Sequence, residues 1–422
     1  MSNGFDVRGR ALQAGELAAW LAEHSLGNRF GLAVTSSAPG DATRAARADA
    51  VAIVAADGDG RYIDVATLTS DDEGALASWL ADPGPPKAVH DAKSAMHALA
   101  WCGWPLRGVT SDPVLAAHLL RPGERGAGLN DLLIHHMRCA LPAEALEAKH
   151  VPGDIAGKAL ILRACAVLDL ADVLDEELAR IDSSFLLGRL ELPAQRVLAE
   201  MEDVGIAVDR GRLTHREEGA AELLAAATAD GRVHATFRQT GSAIGRLASS
   251  APNLHALPVG HGLRDAFVAG PGHVELMVAR YDGLERAIAA HRPATRGLIE
   301  EARELGYAAT LMGRRRYLPD LGSVDPEARA VAERAAVGFA IEGSASDIVK
   351  VAMVDVDCAI KATALESRLV LQADEGLVFE VADGERETLA ELARGQLADA
   401  SPPDVPLDVS IGHGASWGAA TA

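Results

Sequence analysis

Arg368-Leu-Val-Leu-Gln-Ala-Asp-Glu-Gly-Leu-Val-Phe-Glu-Val381 decides how the rest of the chain is read. Two apolar runs, Leu369–Leu371 and Leu377–Val381, flank a polar turn closed by Gly376, the pattern of a β-hairpin. Adjacent acids at the tip of a buried hairpin suit a divalent cation, because hard cations take carboxylate oxygen. Asp-Glu-Gly is also ordinary turn chemistry on a solvated loop, and on these residues alone that plainer reading is the favoured one.

At 422 residues the chain suggests about three domains. It is 49% hydrophobic and 24% charged, enough to bury a core. The formal net charge is -20, so a nucleic-acid contact would need a local basic groove rather than the overall field. Cys102, Cys139, Cys165 and Cys358 lie far apart without CxxC spacing. That argues against a zinc site or a disulfide framework and fits a reducing cytoplasm. No apolar run approaches membrane-spanning length, and the first residues, with Asp6, Arg8 and Arg10, lack a signal-peptide core.

Up to about residue 182 apolar strands alternate with helices. Strands are expected at Phe30–Thr35, Ala50–Ala55, Arg61–Val65 and Lys87–His90, with Asp57-Gly-Asp-Gly60 as a turn. Helices are expected at Glu73–Ala81, Ala92–Trp101, Val114–Leu120, Asn130–Met137 and Lys158–Arg180. Ser111-Asp112-Pro113 supplies a helix start signal. The result is an α/β domain with a mixed sheet.

Tyr62-Ile-Asp-Val65, Pro86-Lys-Ala-Val-His-Asp-Ala-Lys93 and Thr110-Ser-Asp-Pro-Val-Leu-Ala-Ala-His-Leu-Leu-Arg-Pro122 give this half its likeness. It resembles the 3′–5′ exonuclease domain of bacterial DNA polymerase I, a ribonuclease-H-like fold. That family holds two metals on acids, but here the strand reads Gly31-Leu-Ala-Val-Thr35 and the later positions fall near Ala95 and Val167. Without converging carboxylates two-metal hydrolysis has nothing to hold its ions, so the domain is expected to be inactive. Asp91 and Asp169 are left as surface or capping acids.

A boundary is placed at 182/183, and residues 183–422 resemble the palm of family A DNA polymerases, an α+β unit with an antiparallel sheet and helices. Leu190-Glu-Leu-Pro-Ala-Gln-Arg-Val-Leu-Ala-Glu-Met-Glu-Asp-Val-Gly205 reads as an amphipathic helix ended by glycine. The family's thumb is reduced to about residues 210–232, with one helix over Glu217–Ala229. Gln239-Thr-Gly-Ser-Ala-Ile-Gly-Arg-Leu-Ala-Ser-Ser-Ala-Pro-Asn-Leu-His-Ala-Leu-Pro-Val259 matches a segment that contacts the primer strand and minor groove in the family. The match implies DNA contacts from Arg246 and Asn253, and from His255 where the family usually has Gln.

Phe267-Val-Ala-Gly-Pro-Gly-His-Val-Glu-Leu-Met-Val-Ala-Arg-Tyr-Asp-Gly-Leu-Glu-Arg-Ala-Ile-Ala-Ala-His291 resembles polymerase motif A. Ala279, Tyr281, Glu285 and His291 match, but Arg280 takes the place of the metal-binding Asp, and a guanidinium cannot ligate a metal. Asp282 lies two residues on. The fingers, with their triphosphate-gripping Arg, Lys and Tyr, are absent at about 291–296. Thr310-Leu-Met-Gly-Arg-Arg-Arg-Tyr-Leu-Pro319 matches a template-contacting turn, which implies phosphate contacts from Arg314 and Arg315. Glu342 replaces a family Gln at the start of the long palm helix.

The opening hairpin resembles motif C, Gln-Val-His-Asp-Glu-Leu-Val-Phe-Glu-Val. A gapless frame keeps Gln372 on the Gln and puts Asp374 on the His, Glu375 on the catalytic Asp and Gly376 on the Glu. Two expectations follow. Asp374 and Glu375, with Asp282 and Glu285, are the degenerate catalytic set, and Mg2+ would sit on Glu375 and Asp374 if the protein is active. Alternatively Arg280 and Glu375 form an internal ion pair that replaces the metal. The resemblance implies a DNA-directed DNA polymerase of replication and repair. With Arg280 and the missing fingers it reads as a pseudoenzyme that binds primer–template DNA at most, not dNTP or membrane. The other reading is a protein-interaction or remnant protein with no DNA role.

Overall fold

The computed structural model describes residues 5, 8–25, 27–37, 46–124, 126–146, 154–213, 219–258, 262–401 and 405–421. Two compact units emerge: Met1–Leu120 with Glu124–Leu192, and Arg121–Gly123 with Pro193–Ala422. The main division falls at Leu192/Pro193, later than the 182/183 expected from sequence. Among the described residues no helix is long and apolar enough to cross a membrane.

The first unit is built on β1 (Arg8–Ala11), β2 (Phe30–Ser37), β3 (Arg47–Val54), β4 (Asp59–Asp64), β5 (Lys87–Val89) and β6 (Val109–Ser111). They form a mixed sheet in the order β1-β4-β3-β2-β5-β6. Alternation along β2 and β3 sends side chains to two faces. Leu32, Val51 and Ile53 enter one core, while Ala33, Ala50, Ala52 and Val54 enter another beneath the helix Asp154–Arg180. The second face is small for a reason. A Cβ on Gly31 would lie 2.1 Å from the carbonyl oxygen of Ala164, so only glycine lets that helix approach. Strand β1 was not legible in the sequence, since all four of its residues are exposed.

Asp112, fully buried, accepts the amides of Asp91, Ala92 and Val114 at 3.1, 2.8 and 2.9 Å. It therefore serves two helix starts, and the side chain of Asp91 takes the Ser94 hydroxyl instead. Asp169 is not a free surface acid: burial, then Asp172, raises its pKa above the ordinary value. Ala95 and Val167, at the positions of exonuclease acids, are buried apolar side chains.

In the second unit an antiparallel sheet runs in the order Arg368–Ala373, Gly376–Ala382, His273–Tyr281, Val409–Gly414. Its core takes Leu276, Val370, Val378 and Phe379 from the strands, Ile348 and Met353 from the helix Ser344–Ala362, and Leu389 from Arg386–Asp399. Glu380 is completely buried on the central hairpin strand. It is compensated by Arg232 and Arg368, each at 2.7 Å, and by the Gly270 amide at 2.9 Å.

The expected thumb helix is described over Ala220–Ala226, and its first residues lie outside the described part. Where fingers would be inserted, the helix Leu284–His291 is followed directly by Thr295–Leu305.

Candidate functional site

The hairpin closes through a two-residue turn, with Ala373 paired to Gly376 and the acids Asp374 and Glu375 at the tip. Asp374 has φ 53°, a left-handed conformation that Asp tolerates in turns. Gly376 lies opposite Arg280 on the neighbouring strand. A Cβ there would come within 2.8 Å of both the Ala279 oxygen and the Arg280 Cβ, so glycine permits the close approach. The amide of Tyr281 donates to the carbonyl of Glu375 at 3.1 Å, locking the strand end to the tip.

The expected Arg280–Glu375 ion pair does not form. Arg280 is half-exposed and its Nε faces Asp282 Oδ1 at 3.8 Å, beyond hydrogen-bond range. Its register explains this: Arg280 and Glu375 belong to adjacent backbones joined by main-chain bonds, and the guanidinium leaves the sheet toward its own chain. Asp282 also accepts the Ser410 hydroxyl.

Each tip acid is engaged elsewhere. Asp374 accepts from Arg264 Nη1 at 2.8 Å. Arg264 is buried, donates twice to the Leu257 carbonyl at 3.1 and 2.8 Å, and stacks 4.2 Å over Trp417. The carboxylate of Glu375 accepts the amide of Leu284, which opens the next helix. Burial raises the pKa of Glu375, and nearby Glu285 pushes it in the same direction; Arg246 pulls the other way. Glu285 itself pairs with Arg246 at 3.3 Å, and Arg246 also reaches Glu342 at 3.7 Å.

Mg2+ does not fit these residues. The position that the family resemblance gives to the first acid of the pair holds Arg280, a permanent cation, and Asp374 is already paired with Arg264. Among the described residues no three His, Cys, Asp or Glu side chains gather in a set that could hold a metal ion.

Beside the tip lies a cavity of about 220 Å³, lined in part by Arg246, His255, Lys350, Gln372 and Glu375. His255 Nε2 donates to the Gln372 carbonyl at 2.7 Å, which fixes the tautomer, and burial holds its pKa below the ordinary value. Gln372 in turn donates to the Asp374 carbonyl at 2.9 Å. Asn253 turns its side-chain oxygen to the Ala256 amide and the Ser249 hydroxyl. His255 and Gln372 therefore stiffen the approach to the tip.

Arg314 needs correction as a phosphate contact. It is completely buried and pairs with the equally buried Asp347, Nη2 to Oδ1 at 2.7 Å and Nε to Oδ1 at 2.9 Å. It fastens the turn to the helix Ser344–Ala362. Arg315 is part-exposed and lies over the Tyr307 ring at 4.7 Å. Sequence reasoning missed Arg264. It fell between recognisable motifs, in the short run Leu263-Arg-Asp-Ala-Phe267, where an Arg beside an Asp gives no sign of burial.

Two family models match. DNA polymerase family A matches residues 211–300 and 292–419, and DNA polymerase I, ribonuclease H-like domain, matches 42–142. The two matches to the family A model overlap at residues 292–300. DNA polymerase I of Mycobacterium tuberculosis is 38% identical across the whole chain, and that of Mycobacterium leprae 37%. The first alignment runs over 599 positions although the chain has 422 residues, so the relative carries internal sequence that this chain lacks. The chain spans 66% of the length of these curated relatives. A solved structure, the POL domain of Pol1 from M. smegmatis in complex with DNA primer-template and dNTP, is similar with a TM-score of 0.91 and 39% identity. That similarity covers 98% of this chain and 100% of the solved one.

Proposed function

This chain belongs to DNA polymerase family A, and from that premise we propose that it binds primer–template DNA through its second unit while nucleotide addition is impaired or lost. The observation that carries the reading is the state of the tip: Arg280, at the position the family resemblance gives to an acid, stands beside Asp282, and Asp374 is paired with Arg264. Two-metal chemistry needs a pair of carboxylates free to bridge cations, and these are not free to do so. The absence of a fingers segment supports the same reading, because the family's triphosphate grip has no counterpart here. Duplex contact falls to Arg246, Arg315 and Asn253, which reach the surface in whole or part, with His255 and Gln372 behind them. Such contacts position a strand through phosphate and sugar rather than reading bases.

A second reading keeps synthesis in an altered site through Asp374, Glu375, Asp282 and Glu285, with Mg2+ as its cation. The close similarity to a domain captured with primer-template and dNTP favours it. One experiment separates the two. Purified protein is assayed for primer extension with Mg2+ and, in parallel, for binding to the same duplex at two salt concentrations. Salt-sensitive binding without extension supports the proposal. Extension abolished by Glu375→Ala replaces it with the second reading, and neither extension nor binding removes both.

A further inference from the structure

We infer that the outer face of the helix Pro326–Gly338 is a contact between two copies of this chain, packed antiparallel about a two-fold axis. The helix turns Ala332 and Ala336 inward, to a small core with Ala302, Ala308 and Leu321. Its opposite face is apolar where a solvated helix would be polar. Val331 is 54% exposed at the centre of that face, and Val324, just ahead of the N-cap Asp325, is 97% exposed. Ala328, Ala335 and Gly338 lie along the same face and keep it flat, so a second helix can approach closely.

The charges identify the occupant. Arg329 and Glu333 are spent within the chain: Arg329 donates to the Ser323 carbonyl at 2.9 Å, and Glu333 pairs with Arg303. Glu327 and Arg334 remain. Both are exposed, and among the described residues neither side chain has a partner. They flank Val331 on one side of the face, two turns apart. That is roughly 10 Å along the axis, too far for them to meet within one helix. A two-fold axis beside Val331 reverses the second helix and sets Glu327 of each copy against Arg334 of the other, twice over. Parallel packing would set like charge against like. Exposed ion pairs contribute little affinity, and one helix face per chain is smaller than a standard interface. The dimer is therefore weak, with a Kd of about 10–100 µM, and charge chiefly fixes its orientation.

The inference does not rest on duplex binding, and its test uses the purified chain without DNA. Sedimentation velocity across that concentration range is expected to show a monomer–dimer equilibrium. Glu327→Arg leaves cations at both positions and Arg334→Glu leaves anions at both. Each variant alone should dimerise roughly tenfold more weakly than the parent. An equimolar mixture of the two should recover a heterodimer of parental strength, because every charge then meets its opposite. Val331→Asp should abolish association. All three positions are exposed, and unchanged circular-dichroism melts verify that the variants stay folded. A monomer at every concentration, single variants that dimerise as the parent does, or a mixture that fails to associate overturns the inference.

Discussion

Tyr281 donates its backbone amide to the carbonyl of Glu375 at 3.1 Å, immediately beside the pairing of Arg280 with Gly376. Strand end and hairpin tip are thus joined through main chain, and the side chains of Arg280 and Glu375 diverge from that seam. The seam is tight, and several expectations follow from what it excludes.

Gly376→Ala should destabilise the second unit by about 1–3 kcal/mol, because the added methyl meets the Ala279 oxygen and the Arg280 Cβ at 2.8 Å. Chemical denaturation compares the midpoints. An unchanged midpoint would mean that the strands part easily at this point.

Arg264→Ala removes two bonds to the Leu257 carbonyl, the partner of Asp374 and the stack on Trp417. A loss of about 2–3 kcal/mol is expected, most of it from the buried contacts, since the Asp374 side chain is 55% exposed. Arg264→Lys should recover less than half, for an ammonium cannot reproduce the planar fork. Full recovery by lysine would reduce the interaction to simple charge.

Arg314 and Arg315 are neighbours in sequence with opposite duties. Arg314→Ala leaves Asp347 buried and uncompensated, with an expected cost of about 3–5 kcal/mol in thermal or denaturant unfolding. Arg315→Ala should leave stability within about 0.5 kcal/mol and instead lower the salt slope of duplex binding by about one counterion. The reverse pattern would restore Arg314 to the duplex.

The raised pKa of Glu375 predicts a pH signature. An acid with a higher folded than unfolded pKa contributes stability that is complete below its ordinary 4.5 and is lost as pH rises through the folded value. Glu375→Gln keeps an oxygen for the Leu284 amide and cannot ionise. Its stability relative to the parent should therefore grow as pH climbs from about 4 and level off once pH has passed the raised folded value. A difference independent of pH would contradict the burial argument.

The sheet strands and long helices were legible because apolar runs and helical periodicity are local properties. The hairpin was placed with its tip at the right residues, and the gapless frame brought Arg280 and the tip into adjacent strands. Side-chain direction was not legible. Nothing local says that Arg280 turns toward Asp282, or that Glu375 finds the amide of Leu284. Likewise Arg314-Arg315-Arg316 is a run of identical residues, and only tertiary packing selects the first to be buried. Strand Arg8–Ala11 escaped because an edge strand with every side chain in solvent carries no alternation.

The glycine at position 376 also limits what can be built at this hairpin. Aspartate placed at position 280 would meet a tip whose Asp374 is already committed to Arg264. Glutamate placed at position 376 would first have to prise two backbones apart. Installing paired acids here therefore takes coordinated substitutions on both strands, and the close approach of the two backbones constrains any redesign of the tip.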